Sequence, residues 1–565
     1  MVVLLAGALA LLLLNRAAGP RNRTPLVLLI IGGAFLFLLA IARNLPADGT
    51  ISRWRPFFES DLAYHVDGLA FLFAALMALV ALATITTGLG HSEYPAGLSY
   101  PALLTLLAAG FSFVFSANLI TLCLSWVIFD LTFLWALAAS DRGGSRATSP
   151  PRPALSKVEG LGGTEGGRPI RIAPRVLNLG CLACLSLLAA ALLLGQDGGS
   201  LFDGPDLAIQ AERSIFPLVF GLVLLAALVR VGLYPLHLWM PIGVEASLPA
   251  RSLLHLVPAS AGLYLLARLS AWAAGGLPYG QALTIAGGLA FFIGALLAWA
   301  EADFGKALSF VMIGQVGYAV ASLAIARPPA LVILPSLNLV LCLGLLFLSQ
   351  DRSELGSLWS KAASGLAMAS LAGVPLTLGF VARWRLYRSL LTGGHLAVLA
   401  VSLLAETFLL AALLRMWSAI SIRVFPAEFA YERASVAGAA LLAAPVLILG
   451  LHPPVLRPLI EAVSFPTLAD LLRSTSAVQW AALFLPLLGG YLLHRHRRRI
   501  FNPVETLWLE LSRALRLEWL YSLLGRIVAG AASALRIVSR VSEGRGYLGW
   551  IVVVGLLALL FLRGG

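Results

Sequence analysis

A positive charge at the end of an apolar run is the first sign of chemistry in this chain. Arg230 closes the stretch PLVFGLVLLAALVR, Pro235 and Pro241 follow closely, and the next apolar run carries His255. Inside a bilayer, a charge and a broken backbone persist only where they line a protein-buried or watery path. A path for protons needs groups that gain and lose them. Histidine does so near neutral pH, and a buried lysine can, but arginine effectively cannot. The chain has only three lysines, Lys157, Lys306 and Lys361. Lys157 falls in a polar loop and Lys361 near the end of an apolar run, so Lys306, in ADFGKALSF, is the lysine placed to relay a proton. The plainer alternative pairs it at a helix end with Asp303, three residues earlier. Asp130 and Glu406 are acids inside apolar runs, where a carboxylate without a partner is costly. Arg383 or Arg415 is the expected partner of Glu406. The proton-path candidates are Asp130, His255, Lys306 and Glu406. His237, in the Pro235–Pro241 segment, has weaker support.

These residues need a membrane to sit in, and the composition supplies one. Of 565 residues, 59% are hydrophobic and 12% charged, with a mean hydropathy of +0.91, which excludes a soluble enzyme. Apolar runs long enough to span a bilayer recur from end to end, about 16 of them, centred near residues 8, 33, 77, 108, 130, 186, 224, 261, 289, 314, 339, 372, 407, 443, 485 and 555. MVVLLAGALALLLLN is read as a retained first span, because it lacks a basic leader and a clear cleavage site. The net charge of +13 resides in loops, where it reports orientation rather than a nucleic-acid partner. With 16 spans the basic clusters at Arg16/Arg21/Arg23, 141–175 and His494–Arg499 share one side, taken as cytoplasmic, and the acidic loop around Asp197 to Glu212 lies opposite. Residues 141–175, rich in Gly, Pro and Arg, read as a disordered cytoplasmic loop. Residues 500–545 have apolar residues at helical spacing between Arg and Glu, as in amphipathic helices lying along a membrane. The four cysteines have no iron–sulfur, haem or zinc spacing; small-residue helix packing explains the C-x-x-C of Cys181 and Cys184 best, and Cys123 and Cys342 read as lone core residues. No phosphate-binding glycine loop appears.

Several stretches carry a resemblance: PLHLWMP (235–241) with Glu245, Pro249 and SLLH (252–255); ADFGKALSFVMIGQVGY (302–318); SLAGVPLTLGFVARWRLY (370–387); and, more weakly, VDGLAFLF (66–73), ANLITLCLSW (117–126) and LGLLFLS (343–349). In this order they resemble the antiporter-like membrane subunits of respiratory complex I (the L, M and N types) and their relatives in Mrp cation/proton antiporters, most closely the L type. The resemblance implies an all-α polytopic membrane protein with two inverted five-helix repeats, each with a broken helix. Pro235 and Pro241 would break the first and Pro375 the second. A C-terminal amphipathic helix and a terminal span would follow. The implied divisions are N-terminal spans over 1–98, repeats over 99–272 and 273–425, further spans over 426–499, a lateral helix over 500–545 and a terminal span over 546–565. The resemblance also implies a role in proton translocation coupled to quinone-linked electron transfer. No cofactor would be bound by this chain, since quinone and NADH belong to the assembly as a whole. Its partners would be other membrane subunits and the lipid bilayer, in the inner (plasma) membrane. An Mrp-like antiporter component and a structural membrane-arm subunit are the alternatives. Arg230 and Arg383 stand where the family places lysine, or lysine or glutamate, which implies fixed charges that set the local field. Val127 follows Trp126 where the family has glutamate, and Asp130, three residues later on nearly the same helix face, would substitute for it as partner of Arg230. Leu343 stands at a central lysine position, and Gly305 stands where many members carry a basic residue.

Overall fold

The computed structural model describes residues 1–14, 20–52, 62–89, 100–144, 169–194, 215–240, 242, 248–272, 277–325, 332–348, 358–420, 429–460, 465–501 and 505–517, with scattered residues up to 536 and residue 554. It divides into two units, 1–498 and 499–565.

In the first unit nearly every apolar run forms a helix. In chain order these are α1 (Val2–Leu14), α2 (Pro20–Ile41), α3 (Gly68–Gly88), α4 (Tyr100–Phe115), α5 (Leu119–Gly144), α6 (Pro169–Leu194), α7 (Phe216–Val231), α8 (Leu248–Trp272), α9 (Gly280–Ala300), α10 (Phe304–Ile325), α11 (Ile333–Leu348), α12 (Leu358–Leu371), α13 (Leu378–Thr392), α14 (Leu396–Ser418), α15 (Phe429–Leu451), the short α16 (Leu468–Arg473) and α17 (Ala477–Arg495). Among the described residues ten helices are long and apolar enough to cross a membrane, and four shorter apolar helices accompany them. The protein is therefore a multi-pass membrane protein. Fourteen of the expected span centres fall inside these helices and the one near 372 falls on the break between α12 and α13; the terminal one at 555 lies outside the described residues.

The all-α fold class holds, and one expectation narrows. The loop expected over 141–175 is narrower, because α5 runs on to Gly144 and α6 begins at Pro169; residues 145–168 lie outside the described residues. Between α2 and α3 the all-α fold carries one short antiparallel hairpin, β1 (Ala47–Ser52) with β2 (Leu62–Val66). In the second unit, a helix over Glu505–Leu515 puts apolar and charged residues on opposite faces, while most of 516–545 and the terminal span, Val554 apart, lie outside the described residues.

Three helices form the centre of the first unit, among them α11, whose 16 residues are all buried. The apolar window of α8 is 100% buried and that of α10 is 94% buried. Close approach is bought by glycine. A Cβ on Gly294 would stand 2.4 Å from the Gly314 nitrogen, and one on Gly317 2.4 Å from the Phe291 nitrogen, so α9 and α10 meet backbone to backbone, the small-residue packing that membrane helices favour. A Cβ on Gly262 of α8 would likewise stand 2.5 Å from Val231 of α7, which presses α8 onto the residue next to Arg230.

Both expected helix breaks exist, and both are built the same way. At the end of α7, Gly232 adopts φ +73°. Its N–H donates to Val229 O at 3.1 Å, and the Leu233 N–H donates to Leu228 O at 3.1 Å. At the end of α12, Gly373 also has φ +73°; its N–H donates to Ser370 O at 3.0 Å, and the Val374 N–H to Ala369 O at 2.9 Å. These are two Schellman motifs, in which a left-handed glycine lets the chain turn back and satisfy the last carbonyls. Pro235 and Pro375 follow the glycines and stop the helix from resuming at once. Pro241 lies outside the described residues.

Candidate functional site

Each break holds one buried arginine and one buried acid. At the first, Arg230 sits in the last turn of α7 and is 5% exposed. Its Nη1 donates to Asp130 Oδ1 of α5 at 2.7 Å, and Asp130 is 7% exposed. The guanidinium also lies in an aromatic cage, 3.8 Å from the Trp126 ring centre, 4.6 Å from that of Phe129 and 5.7 Å from that of Phe113. Such contacts contribute about 2 kcal/mol each when water is excluded. They hold the cation where Nε and Nη2 meet no hydrogen-bond acceptor among the described residues. The cation also faces the negative end of the α7 dipole. Gly180 of α6 makes room for the acid: a Cβ there would stand 2.1 Å from Asp130 Oδ2.

At the second break the cation comes from the far side. Arg383 belongs to α13, is 1% exposed, and reaches back across the break. Its Nη1 donates to Ser370 O at 3.4 Å, which also accepts the Gly373 N–H, and its Nη2 donates to Leu371 O, so it sits on the carbonyl end of α12. Its Nε donates to Glu406 of α14, which is 4% exposed. Tyr318 of α10 presents its ring 5.5 Å from the guanidinium carbon, and the fully buried Tyr387 stands one turn along α13 from Arg383, beside Glu406. A Cβ on Gly373 would meet Arg383 Cδ at 2.4 Å, so the glycine that makes the turn also clears the path of the arginine. Ser370 ties the break together, donating to Asn338 Oδ1 of α11 at 2.6 Å and accepting the Gly379 N–H at 3.1 Å.

The structure brings together Asp130 with Arg230 and Glu406 with Arg383. Of the two partners expected for Glu406, Arg415 is the wrong one: its Nη2 donates to Ala298 O at 2.9 Å. His255 lies on α8 between the two breaks, 2% exposed. Its Nδ1 meets Arg251 O at 2.8 Å, its Nε2 stands 3.4 Å from Ser309 Oγ of α10, and its ring leans on Phe347 of α11 at 5.1 Å. Lys306 does not stand at midspan. It is half-buried in the first turn of α10, where Asp303 accepts its backbone N–H at 2.9 Å, so Asp303 acts as a helix cap. One turn separates Lys306 from Ser309, the contact of His255. Leu343 is fully buried in α11, whereas Val127 is 45% exposed and faces outward. Asp130, one turn on, is the position of α5 that faces Arg230. His237 is 1% exposed, with its ring stacked on Tyr234 at 5.3 Å.

Sequence reasoning missed a third pair. Asp67 caps α3 by accepting the Ala70 N–H at 2.9 Å and receives a two-pronged hydrogen bond from Arg268 of α8, at 2.7 and 2.8 Å. Arg268 in the apolar run LYLLARLSAW was the available signal. It also missed the contact between Cys123 Sγ and Cys184 O, at 3.9 Å across α5 and α6, which makes Cys123 something other than a lone core residue.

Residues 175–409 match the protein family described as NADH:quinone oxidoreductase/Mrp antiporter, transmembrane. The Na(+)/H(+) antiporter subunit A1 of Staphylococcus aureus (strain Newman) is 25% identical over 301 residues, 52% of this chain and 35% of that protein; the chain thus spans about a third of the relative's length. Among solved structures, that of the Mrp complex from Dietzia sp. DQ12-45-1b contains a chain similar over 100% of this one and 62% of its own length, with a TM-score of 0.76 and 21% identity. The membrane-bound sulfane sulfur reductase, an archaeal respiratory membrane complex, contains one similar over 98% and 99%, with a TM-score of 0.71 and 18% identity. Respiratory complex I from Thermus thermophilus contains one similar over 80% and 98%, with a TM-score of 0.58 and 22% identity.

Proposed function

We propose that this chain, which belongs through residues 175–409 to the antiporter-like membrane-subunit family shared by NADH:quinone oxidoreductases and Mrp antiporters, moves protons across the inner (plasma) membrane as one subunit of a larger assembly. The observation that carries the proposal is the pair of buried arginine–carboxylate contacts, Arg230–Asp130 and Arg383–Glu406, each placed at a Schellman-capped break inside the membrane. In each contact only the carboxylate exchanges protons, since arginine stays charged. Protonating Asp130 would cost the ion pair, but the Arg230 cation would keep its aromatic cage and the α7 dipole. Arg383 would likewise keep the α12 carbonyls. When the acid is protonated the cation loses its counter-charge, and the contacts that remain, ring faces and helix carbonyls, offset part of that cost. His255, on the helix between the breaks, is the candidate to link them, with Lys306 near the basic, cytoplasmic face. The redox reaction that drives the protons, with its quinone and NADH, would reside on partner subunits and not on this chain.

The resemblance to an Na(+)/H(+) antiporter subunit favours a second reading, in which the same groups serve cation/proton antiport. Proton uptake by proteoliposomes holding the intact assembly, read with an internal pH dye, tests both. Asp130→Asn and Glu406→Gln should each lower uptake at least tenfold with the assembly intact. Wild-type rates in both variants would refute conduction through this chain. Proton movement driven by an imposed sodium gradient, and lost in the same variants, would select the antiport reading.

A further inference from the structure

Away from the breaks, the ends of α10, α13 and α16 enclose a vestibule of about 920 Å³. Its wall carries Arg385, Arg388, Arg473 and His395 against one acid, Asp470. That acid is already engaged. Its Oδ2 accepts from Thr467 Oγ1 at 2.6 Å and from the Thr467 N–H at 3.1 Å, and these bonds hold its carboxyl below the ordinary range. The cations therefore outnumber the acid, and the acid faces its own helix cap. Trp384 organises two of the arginines, with Arg388 5.0 Å and Arg385 6.0 Å from its ring centre. The tryptophan is itself fixed, donating to Thr475 Oγ1 at 2.6 Å while its carbonyl accepts from Gln479 Nε2 at 3.0 Å. Arg388 also donates to Ser474 Oγ at 3.4 Å. Three arginines and a histidine converging on a concave space, two of them held against an indole, match the geometry by which guanidinium groups take up phosphate. The vestibule opens where membrane helices end, the level of lipid headgroups, and tryptophan and arginine are the side chains that favour that boundary.

We propose that this vestibule binds a phosphate-bearing anion, with the headgroup of an anionic phospholipid as one source and free inorganic phosphate as the other. The site lies next in sequence to Arg383 but shares no residue with either ion pair, so the inference stands apart from the proton reading. The test uses delipidated full-length protein in a zwitterionic detergent, with calorimetric titration of short-chain phosphatidylglycerol, short-chain phosphatidylcholine and sodium phosphate. Phosphatidylglycerol should bind, and Arg388→Gln combined with Arg473→Gln should weaken it at least tenfold, with Arg388→Lys/Arg473→Lys restoring most of the loss and excluding misfolding as its cause. Phosphatidylglycerol binding well above that of sodium phosphate would assign the site to lipid; equal affinity for both would assign it to free phosphate. Equal binding of phosphatidylglycerol and phosphatidylcholine, or wild-type binding by the double glutamine variant, would overturn the proposal.

Discussion

Arg230 and Arg383 are each held from two directions, by a carboxylate and by groups that carry no full charge. At residue scale this makes the acids the movable parts. The glycines that shape each pocket give the sharpest local test. Gly180→Ala would drive a methyl group into Asp130 and should destabilise the protein by about 1–3 kcal/mol, the usual range for overpacking. It should also lower proton uptake, while Gly32→Ala, where an added Cβ meets nothing within 4 Å, should do neither; thermal unfolding and flux measured on the same preparations check both. The acids and arginines were legible in the sequence because a charge inside an apolar run has no plain reading. The resemblance pointed to Asp130 as the partner of Arg230, because it lies one turn beyond Trp126, close to where the family's glutamate would stand. Which cation holds Glu406 was not legible, because Arg383 and Arg415 are both near in sequence and only the crossing of α13 and α14 selects between them. Lys306 drew notice by its rarity in an arginine-rich chain, and Asp303 three residues ahead of it marked the helix start at which it stands.

The elements that carry these residues are two helices interrupted by the same device. The prolines were visible and gave the positions of the breaks, but the glycines perform the turn. Gly373→Ala places a side chain in the left-handed region, at a cost of about 1–2 kcal/mol, and adds a contact with Arg383. It should lower the unfolding midpoint and impair transport together, where Gly394→Ala, also left-handed but in open space, should lower the midpoint alone. The missed pair at the start of α3 makes a pH prediction. Burial works against ionisation of Asp67, but the hydrogen bonds and charge of Arg268 outweigh it and hold the carboxyl below its ordinary range. The folded protein thus binds this proton less readily than the unfolded chain. The stabilisation is complete above the unfolded carboxylate pKa of about 4 and is lost as pH falls through the lower folded value. A plot of unfolding midpoint against pH should fall off below about pH 4, and Asp67→Asn should flatten that segment of the curve.

Across the whole molecule, apolar length alone located nearly all of the described membrane helices, because a bilayer imposes one length on every span. It could not place the hairpin between α2 and α3, whose strands are short and pair over a span the periodicity does not mark. Nor could it show that α8, α10 and α11 form the centre, since a lipid-facing helix and a protein-buried one are equally apolar. The roughly 16 spans expected from the sequence would put Lys157, Lys306 and Lys361 on one side of the membrane. An amine reagent that cannot cross lipid should modify all three from that side and none from the other, as read by peptide mass mapping. The claim on which the rest depends is that the buried pairs exist to move protons and not to hold the fold. Removing Arg383 alone would leave Glu406 buried without a cation, a loss of about 3–5 kcal/mol, whereas replacing both partners by apolar residues is close to neutral for stability. The deciding measurement is therefore proton uptake by proteoliposomes holding the Arg383→Met/Glu406→Leu double variant, made once its unfolding midpoint has been matched to wild type. Uptake reduced at least tenfold in a protein of unchanged stability is the expected result, and wild-type uptake would contradict it.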